Sequence, residues 1–258
     1  MLSPNPARRR VERYWLIYTA VWGGLAALVM LTGLAEAWGD LELMIMGVAF
    51  ALGAVVPPLA RPHPADRKLP ILERTSFKLV GSVVGLSFLM NYFCTPYFFD
   101  VLHMRFGFRA SITIEDNPVF LYFMTVAYFA TYCVLLCGAW RLARGRVVGF
   151  LVPFLVAFLE TVLNANPFMK RLFCFDDLPF MLWFGTLSYG FCFVFALPMW
   201  MRIDDSEKAR APAGRVGVEL LACMMAIVIV FVFLRHLLAP HVTEVRIQER
   251  NRGGCLER

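Results

Sequence analysis

The stretch VGVELLACMMAIVIVFVFLRHLL, Val216–Leu238, is almost wholly apolar, and only Glu219, Arg235 and His236 interrupt it. A helix that crosses the roughly 30 Å hydrocarbon core of a bilayer needs about 17–25 predominantly apolar residues. This segment meets that length and therefore predicts a transmembrane helix.

Six further segments have the same character. They are Tyr14–Ala35, Leu41–Leu59, Phe77–Phe98, Pro118–Leu142, Val147–Asn166 and Leu178–Met201. The composition agrees, because 59% of the residues are hydrophobic and 17% are charged, against about 45–50% and 25% in soluble domains. Backbone groups inside a bilayer must pair with one another, so the segments are helices. We predict an all-α, polytopic transmembrane helical bundle of about seven spans.

The chain is predicted to form one integral membrane domain, residues 1–258, with an N-terminal cytoplasmic segment 1–13, spans over about 14–238 and a polar tail 239–258. Arg8–Arg10, the following apolar run and Ala35-Glu36-Ala37 together resemble a signal peptide. The apolar run is longer than the 7–15 or so residues of a signal core, so we expect a retained span.

The basic residues lie between the apolar stretches and do not form one patch, although the net charge is +6. Alternate loops divide them unequally, with 16 Lys and Arg on the side of the N-terminus and 9 on the other. Cytoplasmic loops carry the excess of Lys and Arg in membrane proteins, which predicts a cytoplasmic N-terminus. The charge therefore indicates membrane topology, and no nucleic-acid partner is expected.

Glu160 is the ionisable residue placed deepest in an apolar run, LVPFLVAFLETVLNANPF, Leu151–Phe168. Asn164 follows one helical turn later on the same face, and Asn166 lies just beyond. Ionisable groups within spans are costly and are functional candidates by default. In apolar surroundings the neutral, protonated carboxyl is favoured, and such a group can act as a general acid. The alternative is a structural acid that hydrogen-bonds a neighbouring helix.

The third span ends in MNYFCTPYFFD, Met90–Asp100, where polar groups lie among aromatic rings. Pro96 is expected to kink or end the helix and so to open a pocket near the interface. The alternative is an interfacial aromatic belt followed by a helix stop. The next loop contains Glu115, Asp116 and Asn117, and a helix cap before Pro118 explains the last two.

Five segments resemble the cycloeucalenol cycloisomerase (cyclopropylsterol isomerase) family, in the same order along the chain. They are SPNPARRRVERYWLIYTAVW (Ser3–Trp22), ADRK (Ala65–Lys68), NYFCTPYFFDVL (Asn91–Leu102), AFLETVLNANPF (Ala157–Phe168) and FALPMWMRIDD (Phe195–Asp205). None of them alone is a catalytic signature, but their common order makes the resemblance specific.

The resemblance implies an enzyme that opens the cyclopropane ring of a 9β,19-cyclosterol and yields a Δ8 sterol, as from cycloeucalenol to obtusifoliol. Such an isomerisation needs an acid and a base but no cofactor or metal, and its sterol substrate arrives from the lipid phase. By resemblance Glu160 is the candidate proton donor. The candidate substrate-binding residues are Asn91, Tyr92, Tyr97, Asn164 and Asn166. The possible bases are Asp100 and Glu115. The membrane would be the inner membrane of a bacterium or the endoplasmic reticulum of a eukaryote.

One departure bears on the reaction, because Pro96 occupies a position where the family has a histidine. A lost histidine is a lost proton carrier. The alternative function is therefore a sterol- or lipid-binding membrane protein that keeps the scaffold without the chemistry. A small-solute transporter would need polar residues along several spans, and the sequence places only Glu160 at depth.

Overall fold

A computed structural model describes residues 1–142, 145–208 and 210–243. Seven long helices follow one another in these residues. They are α1 (Pro6–Leu31), α2 (Asp40–Ala60), α3 (Thr75–Asp100), α4 (Val119–Leu142), α5 (Arg146–Asn164), α6 (Leu178–Arg202) and α7 (Ala213–His241). Short helical turns lie at Leu34–Ala37, Pro64–Arg67 and Ile71–Glu73. The predicted polar tail 239–258 lies largely outside the described residues.

All the long helices except α5 are long and apolar enough to cross a membrane. The remaining helix, α5, has 19 residues, which span about 28 Å at 1.5 Å per residue. Many large apolar side chains on the outer faces of α1, α5 and α7 are exposed, including Ile17, Leu163 and Ile229. The prediction of an all-α membrane bundle is confirmed.

The helix α1 begins well before the predicted boundary at Tyr14. Asn5 caps it, because its Oδ1 accepts a hydrogen bond from the backbone N–H of Ala7 at 3.0 Å, and Pro6 takes the first helical position, where its missing N–H costs nothing. The apolar pattern could not show this start, because the first turns carry charged residues.

Those charged residues join a buried ion cluster at the end of the bundle where α1 begins, which we call the N-terminal face. The cluster consists of Arg8, Glu12, Lys78, Arg141, Asp204 and Asp205. Arg8 and Glu12 are 0% exposed and pair at 2.7 Å. Arg141, at the end of α4, also contacts Glu12 at 2.7 Å. The cluster thereby ties α1 to α4 and to the segment that follows α6.

A small antiparallel sheet covers the opposite face of the bundle. Strand β1 (Met104–Phe106) follows α3 and pairs with β4 (Phe173–Phe175), which precedes α6, with Met104 opposite Phe175. The pairing links the loop after α3 to the loop after α5, so that the aromatic residues of both strands pack over the ends of the helices.

A second hairpin, β2 (Thr113–Ile114) and β3 (Asn117–Pro118), leads directly into α4. Glu115 and Asp116 form its two-residue turn with φ of 51° and 56°, the left-handed backbone that tight hairpins require. The structure therefore differs from the expected helix cap. Asp116 lies in a turn, and Asn117 is a buried strand residue.

Pro96 does not end its helix, since α3 continues to Asp100. Proline cannot donate a backbone hydrogen bond to the carbonyl four residues earlier. The carbonyl left without this donor is that of Tyr92, while the preceding residue, Thr95, donates its hydroxyl to the carbonyl of Asn91 at 2.6 Å. The polar and aromatic residues around Pro96 thus remain on a continuous helix.

Candidate active site

A cavity of about 120 Å³ lies between α3, α4, α5 and α6, beneath the β1–β4 sheet. It is smaller than the roughly 300–1,000 Å³ of most small-molecule pockets, so a large ligand must move lining side chains to enter it. Eleven of the lining residues are apolar. They are Met90, Phe98, Met104, Phe106, Leu121, Met124, Phe129, Phe173, Phe175, Met181 and Phe193. The polar lining residues are Asn91, Thr95, Asn117, Thr125, Tyr128, Tyr132, Glu160, Thr161, Asn164 and Tyr189.

Glu160 supplies the one carboxyl group among these lining residues. It lies on α5, four residues before the helix ends at Asn164. Because these two residues are one turn apart, the Asn164 amide donates a 2.7 Å hydrogen bond to Glu160 Oε1. The cavity wall therefore contains one carboxyl group, which accepts a hydrogen bond from a neutral donor.

Three tyrosines surround this carboxyl. Tyr132 on α4, Tyr128 and Tyr189 all lie close enough to the carboxyl to interact with it electrostatically. Tyr128 and Tyr132 are four residues apart and so share one face of α4. Glu160 is thus enclosed by aromatic rings and phenol hydroxyls contributed by two other helices.

A second group of polar side chains, which we call the amide cluster, consists of Ser87, Asn91, Thr95, Asn117 and Thr125. The Asn91 amide donates to Thr125 Oγ1 at 2.7 Å. The Asn117 amide donates to Asn91 Oδ1 at 2.9 Å and to Thr95 Oγ1 at 3.1 Å. This cluster joins α3 to the start of α4 and forms a polar part of the cavity wall.

Asn91, Asn164 and Glu160, three of the residues predicted from the sequence, are brought together in the cavity wall. Tyr97 does not line the cavity. It is buried, its hydroxyl bonds Ser188 Oγ at 2.8 Å, and its ring stacks on Phe231 with centroids 4.2 Å apart.

Tyr92 and Asn166 also lie away from the cavity. Tyr92 is exposed on α3 and contacts the ring of Phe93. Asn166 closes the turn after α5, where its Oδ1 accepts from the backbone N–H of Phe168 at 2.9 Å. Their predicted substrate-binding roles stay predictions, and the structure gives both residues local contacts.

The two possible bases are placed outside the cavity wall. Asp100, at the end of α3, pairs with Arg235 at 2.8 Å. Glu115 is exposed in the turn between β2 and β3. Pro96, where the family's histidine would stand, is likewise not among the lining residues.

Sequence reasoning missed the tyrosines and Asn117. Tyr128 and Tyr132 recur at helical spacing with Thr125, a signal that could have marked one polar face of α4. Asn117 gave no such signal, because an Asn before a proline and an apolar run is also typical of a helix cap.

Cycloeucalenol cycloisomerase of Arabidopsis thaliana is 29% identical to this chain over 257 residues, covering 93% of the chain and 90% of that protein. The predicted resemblance is confirmed. No protein-family model and no solved structure matches the chain.

The five segments that carry the resemblance converge on two places in the fold. Asn91–Leu102 and Ala157–Phe168 contribute Asn91, Glu160 and Asn164 to the cavity. The other three reach the N-terminal face, where Ser3–Trp22 and Phe195–Asp205 supply Arg8, Glu12, Asp204 and Asp205 to the ion cluster. Asp66 of Ala65–Lys68 joins there as well, through Thr75. The resemblance thus covers both the candidate site and the contacts that hold the bundle together.

Proposed function

We propose that this chain is a cofactor-independent membrane isomerase that opens the cyclopropane ring of a 9β,19-cyclosterol and yields a Δ8 sterol, as from cycloeucalenol to obtusifoliol. The observation that carries the proposal is one carboxyl, Glu160, in a cavity otherwise lined by apolar, aromatic and uncharged polar side chains. The named activity of the similar plant protein agrees with this chemistry.

The reaction needs one proton delivered and one removed. Glu160, in its protonated form, gives its proton to the bridging methylene of the cyclopropane. The bond from that methylene to the neighbouring ring carbon breaks, so the methylene becomes a methyl group and the ring carbon becomes a tertiary cation. Loss of a proton from the adjacent ring carbon then forms the double bond.

We assign the second step to the same carboxyl. After donation Glu160 is a carboxylate, and it is the nearest base that the described cavity wall provides. If it accepts the departing ring proton, the acid is regenerated and the net change is an isomerisation. Asp100 and Glu115 would have to leave their positions beside Arg235 and in the hairpin turn to act instead.

The aromatic wall suits the cation that forms between these steps. An aromatic face stabilises a nearby cation by about 0.5–2 kcal/mol, most strongly where water is excluded. Tyr128, Tyr132 and Tyr189 surround Glu160, and Phe98 and Phe193 line the same cavity. A dry site also protects the cation from capture by water, which would give an alcohol.

The test is conversion of cycloeucalenol by the full chain, expressed in a sterol-producing host or purified into lipid discs, with products identified by mass spectrometry. We expect obtusifoliol without an added cofactor. For the identity of the base, Glu115→Gln and Asp100→Asn should keep turnover. Loss of turnover in a stable Asp100→Asn protein would move the second step away from Glu160.

The second candidate function is a non-catalytic sterol- or lipid-binding protein on the same scaffold. Pro96 in place of the family's histidine favours it. It predicts that cycloeucalenol binds and is recovered unchanged, whereas the isomerase proposal predicts a new Δ8 product under the same conditions.

A further inference from the structure

Asn117 is a buried amide in the wall of the cavity. It is 1% exposed, lies at the start of α4 in strand β3, and is among the lining residues. Its surroundings decide which of its two polar atoms is left without a partner.

The orientation of the neighbouring Asn91 is fixed by a backbone group. The Asn91 side chain bonds the carbonyl oxygen of Ser87 at 2.9 Å, and a carbonyl can only accept, so the atom facing it is Nδ2. The other atom, Asn91 Oδ1, is an acceptor and needs a donor. Asn117 Nδ2 supplies that donor at 2.9 Å, which leaves Asn117 Oδ1 on the other side of the amide.

Asn117 Oδ1 has no hydrogen-bond partner among the described residues. The Tyr122 hydroxyl lies close enough to interact with Asn117, but it donates its hydrogen bond to the carbonyl of Ile114, at 3.4 Å. Buried acceptors are nearly always paired, because an unpaired one loses the hydrogen bond that water would have made. An unpaired acceptor in a cavity wall therefore points to a ligand that donates.

We propose that Asn117 Oδ1 accepts the hydrogen bond of the free ring hydroxyl of a sterol. This rests on the proposed function and names the ligand class of the same site. The acceptor is uncharged, so it suits an alcohol better than a cation. It also selects against sterol esters and 3-ketones, which present only acceptors at that position.

The anchor lies at the start of α4, and Glu160 lies near the end of α5. A hydroxyl fixed at Asn117 holds one end of the rigid ring system, so the ring carbons near Glu160 are fixed as well. Asn117 is thus a specificity-determining residue that contacts substrate, whereas Glu160 performs the proton transfers.

The experiment compares equilibrium binding of cycloeucalenol and its 3-ketone, which are nearly equal in size, to the full chain in lipid discs. Wild type should bind the alcohol about 10–100-fold more tightly, the usual worth of a hydrogen bond to an otherwise unpaired buried group. Asn117→Leu should bind both nearly equally. Because the result is a ratio of two ligands on one protein, a reduced folded fraction cancels.

Two matched variants separate Asn117 from its neighbours. Thr95→Val removes another member of the amide cluster and Tyr122→Phe removes the nearby hydroxyl, and both should keep the preference for the alcohol. Equal binding of the two ligands by wild type overturns the proposal, and so does a preference that survives in Asn117→Leu. Should Asn117→Leu not fold, the wild-type ratio and Asn117→Ala decide.

Turnover distinguishes this inference from the proposed function. A wild-type protein that prefers the alcohol through Asn117 but converts no cyclosterol would disprove the isomerase and leave the hydroxyl site standing. A protein that isomerises cycloeucalenol but whose preference is unchanged in Asn117→Leu would disprove the hydroxyl site alone.

Discussion

At the scale of single residues, polar side chains that the sequence places close together occupy very different positions in this fold. Glu160 and Asn164 meet in the cavity wall, as their spacing on one helix face implies. Asn166, only two residues further, is taken up by the turn after α5. Sequence spacing fixes which residues share a helix face, but it does not show where the helix ends or which face another helix covers.

Glu160→Gln separates chemistry from packing, because the amide keeps the shape and much of the hydrogen bonding but has no transferable proton. We expect turnover to fall by about 10²–10⁴, the usual contribution of a positioned general acid, with sterol binding and protein yield unchanged. Glu115→Gln, the same chemical change at an exposed turn, is the control and should be fully active. Near-normal turnover in Glu160→Gln would disprove the catalytic assignment.

The charged residues of the N-terminal face show that a count of Lys and Arg in the loops does not reveal which of them form buried ion pairs. Arg8, Lys78 and Arg141 all enter the charge count that predicts a cytoplasmic N-terminus, yet each is buried in an ion pair. Arg8 and Glu12 are four residues apart on α1, but the acidic partners of Lys78 and Arg141 come from other helices and loops, and no local pattern in the sequence pairs them. The contacts are formed only when the bundle packs, so composition and periodicity could not predict them.

At the scale of elements, the ion cluster anchors the first turns of α1 to the rest of the bundle. Arg8 pairs with Glu12 and also donates to the carbonyls of Trp200 and Ile203 at 2.7 Å. These bonds fix the end of α6 and the residue after it against α1. Helix α1 is apolar along most of its length, but its first turns carry charged residues that are buried in these contacts. Its start was therefore predicted too late, at Tyr14.

Arg8→Met should destabilise the protein by about 3–5 kcal/mol, because it leaves a buried carboxylate and two carbonyls with fewer partners. Arg10→Met removes the same charge from the exposed side of the same helix and is expected to be almost neutral. The measurement is the thermal midpoint of each purified variant in one detergent. Equal midpoints for the two variants would show that the buried pair contributes nothing.

Pro96 tests how an element of the fold bears on the reaction. The proline lies within α3 and outside the cavity wall, so a histidine side chain at this position is expected to lie away from the sterol. If Glu160 performs both proton transfers, Pro96→His leaves turnover of cycloeucalenol unchanged in an active protein. A marked rise in turnover would mean that the family's histidine carries protons and that the single-carboxyl mechanism is incomplete.

At the scale of the whole molecule, the hydrophobic pattern predicted the bundle and nearly every helix, because lipid imposes one simple requirement on every span. It did not predict the sheet of β1 and β4. Each of these strands has three residues, and the helices α4 and α5 lie between them in the sequence. Such short strands carry no detectable period. The cavity depends on this sheet, since Met104, Phe106, Phe173 and Phe175 line it.

The orientation of the whole bundle depends on α5, the helix that is shorter than the other six. Seven crossings put the two chain ends on opposite sides of the membrane, and six put them on the same side. About 28 Å of helix is close to the roughly 30 Å of hydrocarbon, and the helix carries Glu160 near one end, where the cavity shields it from lipid. We therefore expect α5 to cross.

Reporters that are active only in the cytoplasm, fused to either end of the full chain, should be active before Met1 and inactive after Arg258. The basic residues favour that cytoplasmic N-terminus, and a reporter active only in the periplasm or lumen is the matched control. Activity of the cytoplasmic reporter at both ends would mean that α5 enters the membrane without crossing it. The substrate would then reach Glu160 from the side of the membrane on which α5 both enters and leaves.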